Sequence, residues 1–347
     1  MTETNTLLRV GVVGCGGISQ IIHIPILAKI PGVQLVALCD IDDRKTAFLS
    51  KRFDVPHTFR DIEEMFRKVE IDLLFILTPT NMHLPMAYIA LRNGVHLFIE
   101  RPAARNAKET QKIYDASQKA DRHVMIGMQS RFRNDFRTIK GFMENKTLGD
   151  ILHIRAEWLQ SSLESIKQPW IFNKNMSGGG VLYDLGVQLL DTCWWITGRP
   201  KLQSVTTFSR QIRTDVQVED FANVYLRFAG EIDISFAVSW YFPLAKDRFQ
   251  MEITGVDGTA TISPFKIEKY LHGKGLELTP PLYETYPGAM YKMAYQNQIQ
   301  HYINFLTGRE KNLVSGIAEA VRVMEMMDMI YKSLETGKTV YIASDED

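Results

Sequence analysis

The sequence predicts two domains, the first of α/β class on a doubly wound parallel sheet and the second of α+β class on a mostly antiparallel sheet. Three observations carry this. Short apolar runs alternate with amphipathic stretches in the first third, and the pattern changes near Arg131 to long alternating segments. The 347 residues also exceed the length at which one hydrophobic core usually keeps growing. The expected domains are residues 1–128 and 129–347.

In the first domain Leu8–Gly14, Gln34–Asp40, Asp72–Pro79, His96–Glu100 and His123–Met128 are rich in Val, Ile, Leu and Phe without strict alternation. Strands buried on both faces read this way. Between them Ser19–Ile30, Arg44–Phe53, His83–Arg92 and Ala107–Ala120 repeat apolar residues at three and four, as helices with one buried face do. Strand, helix and strand in succession specify a parallel sheet.

After a helix over Asp135–Asn145, alternating segments dominate: Ile151–Gln160, Leu202–Ile212, Phe221–Phe228, Glu231–Phe242 and Phe249–Ile262. Turn signals at Ala229-Gly230 and Asp257-Gly258 lie among them, so an antiparallel sheet is expected. Helices over Val181–Ile196, Lys292–Leu306 and Ile317–Leu334 are expected to cover one face of it.

Composition narrows the partners. Lys and Arg number 40 against 40 Asp and Glu, mixed along the chain, which leaves no electrostatic footprint for nucleic acid or an anionic membrane. A small-molecule partner is favoured. Cys15, Cys39 and Cys193 are too far apart for a disulfide framework or a zinc-ligand spacing, and the eight histidines are dispersed, so no metal site is expected. The polar stretch Met1–Thr6 lacks the pattern of a secretion signal, and no segment is apolar enough to span a bilayer. A cytoplasmic protein is expected.

The sharpest local signal is Val10-Gly11-Val12-Val13-Gly14-Cys15-Gly16-Gly17-Ile18-Ser19, at the end of the first strand. Glycine serves where the backbone turns sharply and where a pyrophosphate must approach closely, and the following helix N-terminus offers unpaired amides. Gly14 and Gly16 supply those needs, with Gly17 and Ile18 opening the helix; Ser19 occupies the third glycine position. Asp40, at the end of the second strand, stands where a carboxylate grips the adenosine ribose. Its charge opposes the phosphate of NADP, which favours NAD; Arg44 nearby keeps NADP open, and a helix cap is the alternative role for Asp40. Thr78-Pro79-Thr80-Asn81-Met82-His83 and Glu100-Arg101-Pro102 follow the next two long strands, at the carboxyl edge where such sheets bind ligands. Helix capping is the other reading for Thr78 and His83, and a structural salt bridge for Glu100.

With these residues in place the chain resembles the glucose-fructose oxidoreductase, inositol dehydrogenase and rhizopine-catabolism family of NAD(P)-dependent oxidoreductases. The resemblance rests on the Gly14 and Gly16 loop, the Thr78-Pro79 and His83 cluster, Glu100-Arg101-Pro102, Gly127 with Arg131, and Gly178-Gly179-Gly180 leading to Asp184. It extends to Glu219-Asp220 and to Gly337-Lys338-Thr339-Val340 after the last helix. It implies a Rossmann domain plus a C-terminal α+β domain with a large, open, mostly antiparallel sheet, often joined through that sheet into a homodimer or homotetramer. It also implies hydride transfer between nicotinamide and a hydroxyl-bearing carbon of a sugar, cyclitol or related polyol. Gln129 and Arg131 match a family position near the nicotinamide, with a helix cap or an interdomain salt bridge as the alternative.

The family pattern carries Glu-Lys-Pro and, on a helix, Asp followed four residues later by His. Here the matching positions are Arg101 and Gln188, while Asp184 is retained on the same helical face as Gln188. Arginine stays protonated and a glutamine amide has no basic site, so both can orient or polarise an oxygen but neither can relay its proton. Three readings follow. The first is an oxidoreductase with altered chemistry, in which Arg101 polarises a carbonyl or clamps a carboxylate, Gln188 positions substrate, and Tyr183 or else Asp184 handles the proton. Core packing is the alternative for Tyr183. The second is a cofactor-binding sensor or regulatory subunit without turnover. The third is a reductase of a conjugated substrate, of biliverdin-reductase type, for which Trp158, Trp170, Phe172, Trp194 and Trp195 are the available aromatics, although core or interface packing is their commoner use. Trp170 is further read as closing over cofactor or substrate, and His153 as facing the cleft or serving structure.

Overall fold

The apolar runs of the first third become parallel strands in the structure, a computed structural model that describes residues 7–161, 169–282 and 287–343. The N-terminal stretch Met1–Thr6 lies outside the described residues. Strands β1 (Leu8–Val13), β2 (Val33–Cys39), β3 (His57–Phe59), β4 (Leu73–Ile76), β5 (His96–Glu100) and β6 (Val124–Gly127) form one sheet in the order β3-β2-β1-β4-β5-β6. Every pair is parallel. The order reverses between β1 and β4, which in open α/β sheets puts the ligand crevice outside their carboxyl ends. β3 went unpredicted because three residues of mixed polarity make no detectable run.

Ser19–His23 forms a π-helical turn that continues as α1 (Ile24–Leu27), three residues short of the expected Ile30. Helices α2 (Asp43–Phe53), α3 (Ile62–Lys68), α4 (His83–Arg92) and α5 (Ala107–Ala120) follow the predicted spans or add to them. α2, α3 and α5 start where Asp42, Asp61 and Asn106 accept a backbone N–H of the first turn. The interior is apolar: Val10, Val12, Leu38, Phe75 and Phe98 are fully buried, and the Phe75 and Phe98 rings stack with centroids 4.6 Å apart.

The second half contains α6 (Asn134–Glu144), β7 (Ile151–Leu159), α7 (Lys174–Ser177), α8 (Val187–Ile196), β8 (Leu202–Arg210), β9 (Phe221–Phe228), β10 (Ile232–Ser239), β11 (Arg248–Gly255), β12 (Gly258–Ile262), β13 (Lys266–Leu271) and β14 (Lys274–Glu277), then α9 (Pro287–Leu306), α10 (Ile317–Thr336) and β15 (Val340–Tyr341). Its strands make one sheet in the order β14-β13-β12-β11-β7-β10-β9-β8-β15. β7 pairs with β10 in parallel; the other described pairs are antiparallel. The expected segment Phe249–Ile262 is the hairpin β11–β12. Alternation reads directly as sidedness: Ile154, Ala156, Val224, Leu226, Ile234 and Phe236 are buried, while His153, Arg155, Tyr225 and Arg227 lie on the other face.

The described chain forms two compact units. One runs to Gln129 and adds Tyr291–Val321; the other is Ser130–Met290 and the chain from Arg322. Most of α9 therefore belongs with the unit of the parallel sheet, whereas the sequence reading grouped it with the second sheet. Tyr302 Oη lies 2.8 Å from the carbonyl oxygens of Leu97 and His123, and Ser315 exchanges hydrogen bonds with Ile126 of β6. Periodicity identifies an apolar helix face but not the sheet it meets. No helix of the described residues is long and apolar enough to cross a membrane.

Candidate functional site

At the end of β1, Gly14 has φ +91°, and a Cβ there would lie 2.7 Å from the Leu77 carbonyl. Glycine is required by the fold at this position. Gly16 differs, since a Cβ added to it meets no protein atom within 4 Å. Its small size serves open space rather than internal packing. Gly17 and Ile18 open the helix, and Ser19, fully buried, donates through Oγ to the Gly14 carbonyl. That hydrogen bond closes the turn in place of a third glycine.

Asp40 continues β2 and accepts the Cys15 amide through Oδ2 at 2.6 Å and the Asp42 amide through Oδ1 at 2.9 Å. Asp42, not Asp40, caps α2. The carboxylate is thus fastened to the glycine loop itself. Arg44 is exposed and paired with Asp42 at 3.1 Å. The Cys15 and Cys39 thiols beneath this edge are pushed by burial up to about 12, which leaves them protonated and inert at neutral pH.

Pro79 leads into a 3₁₀ turn, Thr80–Met82, and then α4, neither of which has a side-chain cap. Thr78 and His83 therefore do not serve as caps. His83 is buried with its ring nitrogens each 3.0 Å from a carbonyl oxygen, Pro102 on one side and Thr78 on the other. Burial draws its pKa below the ordinary imidazole value, so the neutral ring donates to one of the two. It ties the end of β4 to the loop after β5. Thr78 Oγ1, Thr80 Oγ1 and Asn81 Oδ1 are buried without a protein hydrogen-bond partner.

On β5, Glu100 Oε1 lies 2.6 Å from His23 Nε2, and its Oε2 accepts the Arg101 amide at 3.1 Å. Burial pushes the Glu100 carboxyl up, but the bond to His23 and the nearby Arg101 charge override it and hold the group below its usual range. The salt-bridge reading of Glu100 thus describes its geometry, and the bridge also supports the backbone that carries Arg101. A Cβ at Gly127 would come within 3.0 Å of the same carboxylate. Tyr295, from α9, packs edge-on against His23 at 5.6 Å. Gln129, buried, begins the 3₁₀ turn Gln129–Phe132 after β6.

In the second unit Asp184 stands on a π-helical turn, Leu182–Gly186, that runs into α8, which carries Gln188. Each side chain meets a residue distant in the sequence. Gln188 Nε2 donates to Ser130 Oγ at 2.6 Å, and Asp184 Oδ2 accepts the Trp240 indole N–H at 2.8 Å. Arg131, almost wholly buried, makes a bidentate pair with Asp191 at 2.8 and 2.5 Å. That pair lies within the second unit and so is not itself a bridge between the units.

Tyr183 is buried and its ring centroid lies 5.1 Å from that of Tyr331. The neighbouring glycines are fixed by close packing: a Cβ on Gly179 would overlap Tyr331 Oη, and one on Gly180 would lie 2.0 Å from the Glu219 carbonyl oxygen. Glu219 Oε1 accepts from Tyr331 Oη, the Gly180 amide and the Leu182 amide at 2.6, 2.9 and 3.2 Å. Burial pushes the Glu219 carboxyl up, and the hydrogen bonds it accepts from these partners offset only part of the rise.

His23, Ser130 and Trp240 were missed in the sequence. Each partners a predicted residue across more than fifty positions, and only the short spacing of His23 from the glycine loop offered a signal. The aromatic candidates are engaged in packing: Trp158 edge-on to Phe249 at 5.3 Å, Phe172 against Trp240 at 5.5 Å, Trp195 under Lys140, and Trp194 donating to Pro200. Trp170 lies on the 3₁₀ turn Pro169–Phe172. His153 is on the open sheet face, 3.0 Å from Ser235 Oγ, at a hollow of about 560 Å³ lined also by Arg155, Asn223, Tyr225 and Arg227.

The first unit fits a dinucleotide: the forced turn at Gly14, the open space at Gly16, the Asp40 carboxylate and three buried polar atoms at the end of β4 are what such a ligand engages. Residues 8–128 match the oxidoreductase family with the NAD-binding Rossmann fold, and residues 136–261 match the GFO/IDH/MocA C-terminal domain. The chain is 26% identical over 209 residues to a D-glucoside 3-dehydrogenase of Escherichia coli, an alignment spanning 60% of this chain and 59% of that protein. It is 23% identical over 343 residues to a trans-1,2-dihydrobenzene-1,2-diol dehydrogenase of Mus musculus, covering 98% and 93%. A levoglucosan dehydrogenase solved with NADH and levoglucosan shares the fold at a TM-score of 0.87 and 19% identity, over 97% of this chain and 100% of that one. Matched in both halves by the two parts of one family, the chain belongs to the GFO/IDH/MocA oxidoreductases, with an NAD-binding Rossmann domain.

Proposed function

We propose that the protein is an NAD-dependent dehydrogenase or reductase of a sugar, cyclitol or related polyol or carbonyl compound, with proton chemistry altered from its family's pattern. The observation that carries this reading is the glycine loop, where the fold demands Gly14, Gly16 faces open space and Asp40 is locked to the Cys15 amide. Gly14, Gly16, Gly17 and Ile18 take the pyrophosphate, and Asp40 takes the adenosine ribose. The pairing of exposed Arg44 with Asp42 supports NAD over NADP. Thr78, Pro79, Asn81, His83, Glu100 and Gln129 bind or support the cofactor toward its nicotinamide end. NAD, when bound, accepts or supplies the hydride.

Arg101 polarises a carbonyl or holds a carboxylate on the substrate, since a guanidinium cannot act as the base. Gln188, oriented by Ser130, places a substrate oxygen. The proton falls to Asp184, because Tyr183 is packed against Tyr331. The names of the relatives, dehydrogenases of a glucoside, a dihydrodiol and levoglucosan, support sugar and diol substrates. In this reading the protein works in the cytoplasm as a homodimer or homotetramer, with the open face of the second sheet as the surface for another copy.

The test is to follow nicotinamide absorbance in purified protein given NAD or NADH and a panel of aldoses, glucosides, inositols and uronic acids. Turnover of at least one member is expected, and Arg101→Lys with Gln188→His is expected to raise activity on simple polyols. A sensor without turnover is the second reading, favoured by the two lost proton carriers. NADH binding without turnover, in both proteins and across the panel, overturns the enzyme in its favour.

A further inference from the structure

Asp184 is the acidic residue retained in the altered pair, and a residue outside its own turn takes hold of its carboxylate. That residue is Trp240, at the end of β10. Its indole Nε1–H donates to Asp184 Oδ2 at 2.8 Å, and its side chain is fully buried. An indole is a donor only. It therefore orients the carboxylate without exchanging a proton with it.

Trp240 is itself held on two sides. Its backbone amide donates to the Asp220 carbonyl at 3.0 Å, and its ring meets Phe172 edge-on at 5.5 Å. Ser239, the preceding residue, donates to the same Asp220 carbonyl at 3.2 Å. Glu219 meanwhile holds the amides of Gly180 and Leu182, just before Asp184. The dipeptide Glu219-Asp220 thus fastens both the backbone that carries Asp184 and the tryptophan that aims its side chain.

We infer that Trp240 is a positioning residue that aims the Asp184 carboxylate for proton transfer. The inference rests on the oxidoreductase reading above and adds a residue to it. Asp184 is the group that meets the substrate; Trp240 acts through it. An acid or base works only within hydrogen-bond reach of the proton it moves, so loss of this orientation lowers the rate of the chemical step more than it weakens binding.

Two measurements test it. The chain has five tryptophans, so protein labelled with ¹⁵N yields five indole N–H resonances, and Trp240→Phe removes and thereby assigns one. In Asp184→Ala one indole resonance is expected to move upfield as its hydrogen-bond acceptor is lost; five unmoved resonances overturn the bond, and this arm holds even if Trp240→Phe does not fold. On the panel substrate with the highest rate, Trp240→Phe is expected to lower kcat about tenfold with KM within about twofold, and to have no further effect in an Asp184→Ala background. Equal losses in both backgrounds overturn the positioning role. Absence of turnover in the unmodified protein overturns it too, by removing the enzyme reading, and the resonance experiment then reports the bond separately.

Discussion

Twice in this chain a glycine run leads into a π-helical turn and then an α-helix. In the first unit Gly14 to Gly17 precede Ser19–His23 and α1; in the second Gly178 to Gly180 precede Leu182–Gly186 and α8. Both runs contain a glycine at positive φ, +91° at Gly14 and +93° at Gly178. Both present a backbone amide to a carboxylate, Cys15 to Asp40 and Gly180 to Glu219. What differs is the space around the remaining glycines. Gly16 faces none of its own protein, whereas Gly179 and Gly180 are closed by Tyr331 and Glu219. The same local device is left open for a ligand in one unit and filled by the protein in the other, where it positions Asp184.

The sharpest way to break this comparison is Gly180→Ala. A methyl 2.0 Å from a backbone oxygen forces the chain to move, so a loss of about 1–3 kcal/mol or more is expected, read from the urea midpoint. An unchanged midpoint would dissolve the contrast. Gly16→Ala should do the reverse, leaving stability within about 0.5 kcal/mol while weakening NADH binding about tenfold in a fluorescence titration.

The buried carboxylates supply the smallest and most specific effect. Glu100 is held below its ordinary pKa, so its contribution to stability is present above the normal carboxylate range and lost as pH falls through its own lowered value. Glu219 is raised, so its favourable contribution is present below that range and lost as pH rises through its own higher value. Glu100→Gln should therefore flatten the acid limb of a plot of stability against pH, and Glu219→Gln should remove a decline on the rising side. Parallel changes in the two variants would show that the two groups are held alike.

Much of the first unit was legible because its signals are local. An apolar run, a glycine at the strand end and a carboxylate at the end of the next strand lie close in sequence and act on their own backbone. Strands β3, β13, β14 and β15 were not legible, being short, polar or both. Asp184 and Gln188 were found through the family pattern, but the residues that meet them were not. Gln188 turns to Ser130, 58 positions away, and Asp184 to Trp240, 56 positions away.

By itself the sequence determined the two sheets, the turn that needs Gly14 and the edge on which Asp40, Thr78 and Glu100 stand. Those features follow from side-chain period and backbone sterics, which act over a few residues. Only the tertiary structure decided that most of α9 joins the unit of the parallel sheet, that the Tyr183 ring meets Tyr331, that Arg131 pairs with Asp191 and that a tryptophan donates to Asp184. Each of these depends on which distant surface fills a given space, and close packing lets a single partner fill it.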